Sequence, residues 1–427
     1  MMIPIKIDVF LWGDHIGQLF WDAEKNISVF QFTSVYFTKP YNLIPSQRVK
    51  SLGAMYGNPE NKYQGLPPFI ADSLPDSWGN ILFDQWASNQ GISPSKVNPL
   101  LKLAFIGNRA VGALEFRPVL EETEDKTYDI ASLVDIANRL YKERYEAVIN
   151  ENEKIQAQDL VNLGSPPGGD HPKALIAISS TTGEVRSGQI PLSDDFSYYI
   201  IKFKEETPFP SSEMEMVYYE MAQMAQIKMM PCRLYTIGNK SHFITERFDR
   251  VNGEKVHTQT MAALMPSGKD YNDLFILSRR LDLDAVQMNE LFRRMCFNIV
   301  AGNTDDHNKN FSFTMDQNGK WSLSPAYDIM FTANTWSRSD ADVHEMSMSG
   351  KRCFFTEKDL LQMGRTFSIK NPNKELETVY KAVSEFEALC NKYNIDTIWS
   401  SKVSDVLSNI YPDRLKHCQR HSKRLKM

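Results

Sequence analysis

Asn303-Thr304-Asp305-Asp306-His307-Asn308-Lys309-Asn310, with Ser324-Pro325-Ala326-Tyr327-Asp328-Ile329 shortly after it, is the stretch on which the reading of this chain turns. Carboxylates, amides, a histidine and a lysine are packed between two apolar runs, Met295-Cys296-Phe297-Asn298-Ile299-Val300 and Phe311-Ser312-Phe313. A loop that polar, fixed between two buried elements, is where binding or catalytic groups are usually mounted. Asp and Asn clusters also occur in plain turns, where they bond to their own backbone. A plain turn does not explain His307 and Lys309 among them, or a further aspartate beyond the next strand.

The spacing suits phosphoryl transfer. Asp305 and Asn310 are five apart, which fits an aspartate that accepts a hydroxyl proton and an amide that holds magnesium. Asp328 is placed to enter from the next strand as a second metal-binding carboxylate, and carboxylate, amide and phosphate are the hard oxygen ligands magnesium takes. The five-residue step to Asn310 favours Asp305, not Asp306, as the base. Zinc hydrolysis is the rival, but a single nearby histidine without a second ligand at helical spacing argues against it.

The frame around this loop is that of a folded soluble protein. A chain of 427 residues is long enough for two or three domains, and 42% apolar with 24% charged residues is ordinary for globular proteins. A net charge of −5 gives no reason to expect nonspecific nucleic-acid binding. No apolar run approaches the roughly 18 residues that cross a bilayer, so no membrane association is expected. The N-terminus lacks the pattern of a signal peptide. Five scattered cysteines form no zinc or disulfide pattern, and the expected compartment is the reducing cytoplasm.

Three segments follow. Residues 1–117 open with alternating strands at Ile5–Leu11, Ile16–Phe20 and Ile27–Phe32, a small antiparallel sheet, and turn helical near Trp78–Trp86. The acidic stretch from Pro118 to Asp129 reads as a surface linker, and a charged helix is expected over about Ile130–Lys154. Residues 118–250 then hold apolar strands at Ala174–Ile178 and Tyr198–Phe203, a helix over Ser212–Lys228, and a strand at Phe243–Asp249. Residues 251–427 read as helical, with Met288, Leu291, Phe292, Met295 and Ile299 forming a stripe that leads into the polar loop. A β-rich half followed by a helical half predicts a two-lobed α+β protein.

Other features carry two readings each. Gly164-Ser165-Pro166-Pro167-Gly168-Gly169 before Lys173 is either a turn or a loop whose backbone N–H groups close on phosphate. Lys202, inside Ile200-Ile201-Lys202-Phe203, either faces water or points inward toward an anion, since unpaired burial of a charge is costly. The basic run from Arg414 to Lys426 reads as a solvated helix face, and the Met-rich helix before Met230 as core.

Several of these motifs together resemble the HipA-type serine/threonine kinases, the toxin half of bacterial high-persistence toxin–antitoxin pairs. The resemblance runs nearly end to end. It includes Asp72-Ser73-Leu74-Pro75-Asp76-Ser77-Trp78-Gly79, Ile106 through Leu114, Gly168-Gly169 with Pro172-Lys173-Ala174, Thr245 through Arg250, and His344 through Met348 before Gly350-Lys351. The Asn303–Phe313 and Pro325–Ile329 blocks complete it.

The resemblance implies a divergent protein-kinase-like fold with an added N-terminal β-rich module, an all-helical C-terminal lobe, and ATP with Mg2+ bound between the lobes. Gly168, Gly169, Lys173, Lys202, Glu246, Phe248 and Asp249 would bind the nucleotide. Asp305 would be the base, His307 and Lys309 would shape the loop and neutralise charge, and Asn310 and Asp328 would hold magnesium. The expected partners are a protein substrate, such as a translation factor or an aminoacyl-tRNA synthetase, and a helix-turn-helix antitoxin of HipB type, with DNA reached only through the antitoxin. A weakly catalytic nucleotide-binding module and a small-molecule or lipid kinase are the alternatives.

Two departures stand out. Where family members carry an autophosphorylated serine, seven residues before the loop lysine, this chain has Pro166, leaving Ser165 as the candidate autophosphorylation site. Met216 stands where an acid would pair with Lys202, leaving Glu215 or Glu220.

Overall fold

A computed structural model describes residues 3–45, 53–143, 151–164, 169–333 and 343–410. Ser165, Pro166 and Gly168 of the glycine loop, and the basic run from Arg414 to Lys426, lie outside them. The chain forms two compact units: Met1–Glu206 with Tyr235–Pro266 and Thr314–Lys320, and Thr207–Leu234 with Ser267–Phe313 and Trp321–Met427.

Among the described residues, the first unit is dominated by two five-stranded sheets. Strands β1 (Lys6–Leu11), β2 (Asp14–Asp22), β3 (Ile27–Phe32), β4 (Ala54–Tyr56) and β5 (Leu114–Arg117) order as β4-β3-β2-β1-β5. Alternation drives this sheet: Ile7, Val9 and Leu11 of β1 are fully buried while their neighbours face outward. Gly17 lies against Phe30, where a Cβ would sit 2.1 Å from the ring, so only glycine fits this crossing.

The second sheet comprises β6 (Lys173–Ser179), β7 (Val185–Ser187), β8 (Phe196–Lys202), β9 (Cys232–Ile237) and β10 (Lys240–Glu246), ordered β7-β6-β8-β10-β9. The charged helix expected over 130–154 appears as Ile130–Glu143 and Glu151–Leu163, with 144–150 outside the described residues.

Several motifs behind the resemblance are joins inside this unit. Asp76 caps the helix Ser77–Asn89 by accepting the Gly79 N–H at 3.0 Å, and Trp78 Nε1 donates to the Lys173 carbonyl at 2.8 Å. Asp72 accepts the Thr260 N–H and hydroxyl at 2.8 and 2.7 Å.

The second unit is mainly helical, built on Ser211–Met224, Tyr271–Arg280, Ala285–Val300 and four later helices from Glu357–Thr366 to Thr397–Ile410. Asp284 caps Ala285–Val300 by accepting the Val286 and Gln287 N–H groups at 2.9 Å each. The predicted stripe from Met288 to Ile299 is buried throughout.

The all-helical reading of 251–427 is corrected here. That stretch also contains strands at His257–Thr260, Ser312–Met315 and Trp321–Leu323. The last two form a hairpin because Asp316 Oδ1 accepts both the Asn318 and Lys320 N–H groups and Gly319 adopts φ 78°. This hairpin returns the chain from Asn310 to Asp328.

Candidate active site

The polar loop is launched by the end of the helix before it. Gly302 sits at φ 65°, and the Asn303 N–H donates back to the Asn298 carbonyl at 2.9 Å, the six-to-one bond of a Schellman exit. A Cβ at Gly302 would also press on the Phe331 ring at 3.2 Å.

The two adjacent aspartates part company completely. Asp306 is fully buried and accepts the Tyr271 hydroxyl at 2.5 Å, His344 Nδ1 at 2.8 Å and the Met346 N–H at 3.1 Å. Asp305 keeps 55% of its side chain exposed. A carboxylate locked by three donors is a structural acceptor, and the exposed neighbour is the one that can meet a substrate.

Asp305 is held by its backbone. Its N–H donates to Thr332 Oγ1 at 3.0 Å, and its carbonyl accepts Asn310 Nδ2 at 2.8 Å. That bond leaves Asn310 Oδ1, a hard acceptor, without a hydrogen bond among the described residues. Desolvation raises the Asp305 carboxyl, and Asp328, Glu345 and Asp306 push it further against the opposing charge of His307. His307 Nε2 lies 3.8 Å from Asp305 Oδ1, while its buried Nδ1 lacks a hydrogen-bond partner among the described residues.

The Lys309 side chain is exposed and its carbonyl accepts the Tyr327 hydroxyl at 2.7 Å, which ties the residue before Asp328 to the loop. Asp328 itself adopts φ 55°, an uncommon conformation for a residue with a side chain and one that clusters at functional sites. The segment of His344–Met346 completes the loop's support, since the Glu345 N–H donates to the Thr304 carbonyl at 3.0 Å.

In the first unit, Lys202 ends β8 directly opposite Lys173 on β6 and Phe243 on β10. Residues facing each other across an antiparallel pair share a face, so two lysines stand side by side. Lys173 is buried with its ammonium 3.7 Å from the Asp76 carboxylate, and Lys202 Nζ lies 5.7 Å from the Phe243 ring centre. Glu246 and Phe248 are half-buried at the end of β10, and Gly169 adopts φ 85°.

Asp249, expected among the nucleotide ligands, is engaged by partners within its own unit. It is buried between Arg247, which grips both oxygens at 2.9 Å each, and Arg250 at 2.8 Å, and it also accepts the Gly112 N–H at 3.0 Å. Burial alone would raise this carboxyl, but the two guanidiniums hold it far below the usual carboxylate range. Through these bonds it joins Gly112 to the strand after Glu246. Glu220 is likewise committed, to Lys392 Nζ at 2.6 Å and to the Tyr393 hydroxyl, while Glu215 is buried.

Sequence reading missed Tyr271, Asn298 and Thr332. Asn298 left a trace: an amide inside the apolar run Met295–Val300 must find partners if that helix is buried. Thr332 left none.

The comparisons with known proteins agree with this architecture. Residues 165–389 match the model of the HipA-like C-terminal domain, and residues 7–117 that of the HipA N-terminal domain. The first of these alone spans more than half of the chain, which belongs to the HipA family.

Among curated proteins, the chain is 21% identical to "Putative kinase Y4dM" of Sinorhizobium fredii, across 95% of this chain and 96% of that one. It is 24% identical to "Putative kinase Y4mE" of the same organism, across 68% of this chain and 70% of that one. Its fold matches a chain in the complex of HipA, HipB and operator DNA from Shewanella oneidensis MR-1, with TM-score 0.63, 16% identity and 97% of each chain covered. No helix among the described residues is long and apolar enough to cross a membrane.

Proposed function

We propose that this chain is an ATP-dependent serine/threonine protein kinase that arrests growth as the toxin of a toxin–antitoxin pair. The observation that carries the reading is the contrast between Asp305, exposed and held from both sides of its backbone, and Asp306, buried and saturated. The names of the two Sinorhizobium relatives support the kinase class. The complex in which the matched Shewanella chain was solved supports a HipB-type antitoxin as partner, with DNA reached through it.

In this reading Asp305 accepts the proton of the acceptor hydroxyl as its oxygen bonds to the γ-phosphorus of ATP and the bond to the β–γ bridging oxygen breaks, with ADP as the leaving group. Asn310, whose amide nitrogen is committed to the loop, offers Oδ1 together with the Asp328 carboxylate to magnesium, a donor set of the hard kind that ion takes. Bound ATP with magnesium supplies the transferable phosphoryl group and neutralises charge on its oxygens. Lys202 contacts the phosphates, Gly169 lends its backbone to them, and backbone groups at Glu246 and Phe248 hold adenine. Lys173, committed to Asp76, supports this region from beneath. His307 lies near enough to Asp305 to favour its ionised form. Lys309 faces outward, where it neutralises developing charge.

Incubating the purified chain with labelled ATP, magnesium and lysate should label protein bands, and Lys202→Ala should weaken ATP binding at least tenfold. Labelling confined to small molecules or lipids, or ATP binding without transfer, overturns the protein-kinase reading.

The raised Asp305 carboxyl also sets a pH dependence. A protonated base cannot accept a proton, so transfer should fall on acidification at a pH above the ordinary aspartate range. Glu345→Gln removes one of the charges that raise Asp305 and should move this acid limb to lower pH. An unmoved limb in the pH–rate profile counts against Asp305 as the titrating base.

A further inference from the structure

We propose that the Thr332 hydroxyl is the positioning group for Asp305, so that it sets the turnover of the reaction while making no contact with substrate. This rests on the kinase reading above. Thr332 Oγ1 accepts the N–H of Thr304 at 2.8 Å and the N–H of Asp305 at 3.0 Å, and lies 3.3 Å from Asn303 Oδ1, to which it donates. A hydroxyl has one proton and two lone pairs; the two amides take the lone pairs, and the proton faces Asn303 Oδ1 and the Thr304 hydroxyl oxygen, each 3.3 Å away.

From Asn303 the chain of bonds continues inward. Asn303 Nδ2 donates to Asn298 Oδ1 at 3.0 Å, Asn298 Nδ2 to the Tyr271 hydroxyl at 3.2 Å, and that hydroxyl to Asp306 at 2.5 Å. The path therefore begins at the backbone of Asp305 and ends on the side chain of Asp306. The two successive peptide planes that lead into the base, Asn303–Thr304 and Thr304–Asp305, are fixed by one network, of which Thr332 is the outermost, half-buried member.

The Thr332 segment also follows Asp328 by four residues and is pinned to the start of the loop, since the Thr332 and Ala333 N–H groups donate to the Gly302 carbonyl at 3.2 and 3.0 Å. With those backbone bonds intact, removing the hydroxyl frees the Thr304 and Asp305 amides without unseating the segment. A base displaced by a fraction of an ångström loses much of its rate, because proton transfer needs hydrogen-bond reach in the reacting geometry.

The test compares Thr332→Val, which keeps the shape and loses the hydroxyl, with Thr332→Ser, which keeps the hydroxyl. Thr332→Val should lower kcat about 10- to 100-fold, with the KM for ATP within about twofold of wild type. Thr332→Ser should recover most of the loss. Amide hydrogen exchange provides a readout independent of turnover: Thr304 and Asp305 should exchange faster in Thr332→Val and as in wild type in Thr332→Ser. A Val variant with unchanged kcat, a Ser variant as impaired as Val, or unchanged exchange at both amides overturns the proposal. Failure of the wild-type chain itself to phosphorylate protein overturns the kinase reading and this role together, whereas an active wild type with an unaffected Val variant overturns the role of Thr332 alone.

Discussion

Asp305→Asn should lose about 10²- to 10⁴-fold in phosphoryl transfer, the usual contribution of a positioned general base, while ATP affinity and thermal stability stay near wild type. The stability half of this expectation follows from placement. Asp305 fastens the loop through its backbone N–H and carbonyl, both of which survive the substitution, and its side chain is largely exposed. The matching change at the neighbouring position should behave in the opposite way. Asp306→Asn keeps an oxygen for some of its three donors but disturbs a fully buried site, so its main effect should be a lower Tm. Transfer assays and thermal melts on the two variants would refute the assignment if Asp306→Asn were the folded but inactive one.

The second large effect is expected at Asp249, far along the chain from the loop. Replacing it with alanine leaves the Arg247 and Arg250 guanidiniums buried without their shared carboxylate, which costs about 3–5 kcal/mol. For a unit of this size that corresponds to a fall in Tm of roughly 10 °C. Asp249→Asn, which retains an acceptor for the Gly112 N–H, should lie in between and serves if the alanine variant does not fold.

The sign with pH is also set. A carboxyl whose folded pKa is depressed contributes stability above its unfolded value, near 3.9, and loses that contribution as pH falls through the folded value. The Asp249 contribution should therefore be constant across pH 5–8 and be lost only in acid. A Tm within about 2 °C of wild type for Asp249→Ala would mean the cluster is not the join that its geometry indicates.

Asp249 also shows how the resemblance and the structure differ in what they convey. The block Thr245–Arg250 marks the family, and a nucleotide role for its aspartate was the natural expectation. Tertiary contact gives it a fastening role that the motif does not announce, because Arg247 is only two residues away and the Gly112 N–H arrives from 137 positions upstream. Asp72 and Asp76 belong to the same kind, motif residues whose carboxylates cap a helix or hold a distant strand. Recurrence of a motif therefore does not separate residues that react from residues that fasten. Burial and the number of donors met do.

The sequence alone determined the local features of this protein. Alternation specified three strands of the first sheet, the 3.6-residue stripe from Met288 to Ile299 specified the helix that leads into the loop, and the five-residue step from Asp305 to Asn310 marked Asp305 as the candidate base. Each of these depends on neighbours a few positions apart, where backbone geometry leaves little choice. Only the tertiary structure decided which polar groups are spoken for. It buried Asp306 under Tyr271 and His344, closed Asp249 between two arginines, and brought Thr332 onto the N–H of Asp305 from 27 residues away. Hydrogen bonds between distant segments are set by how the elements pack, and packing leaves no periodicity in the chain from which such partners could be read.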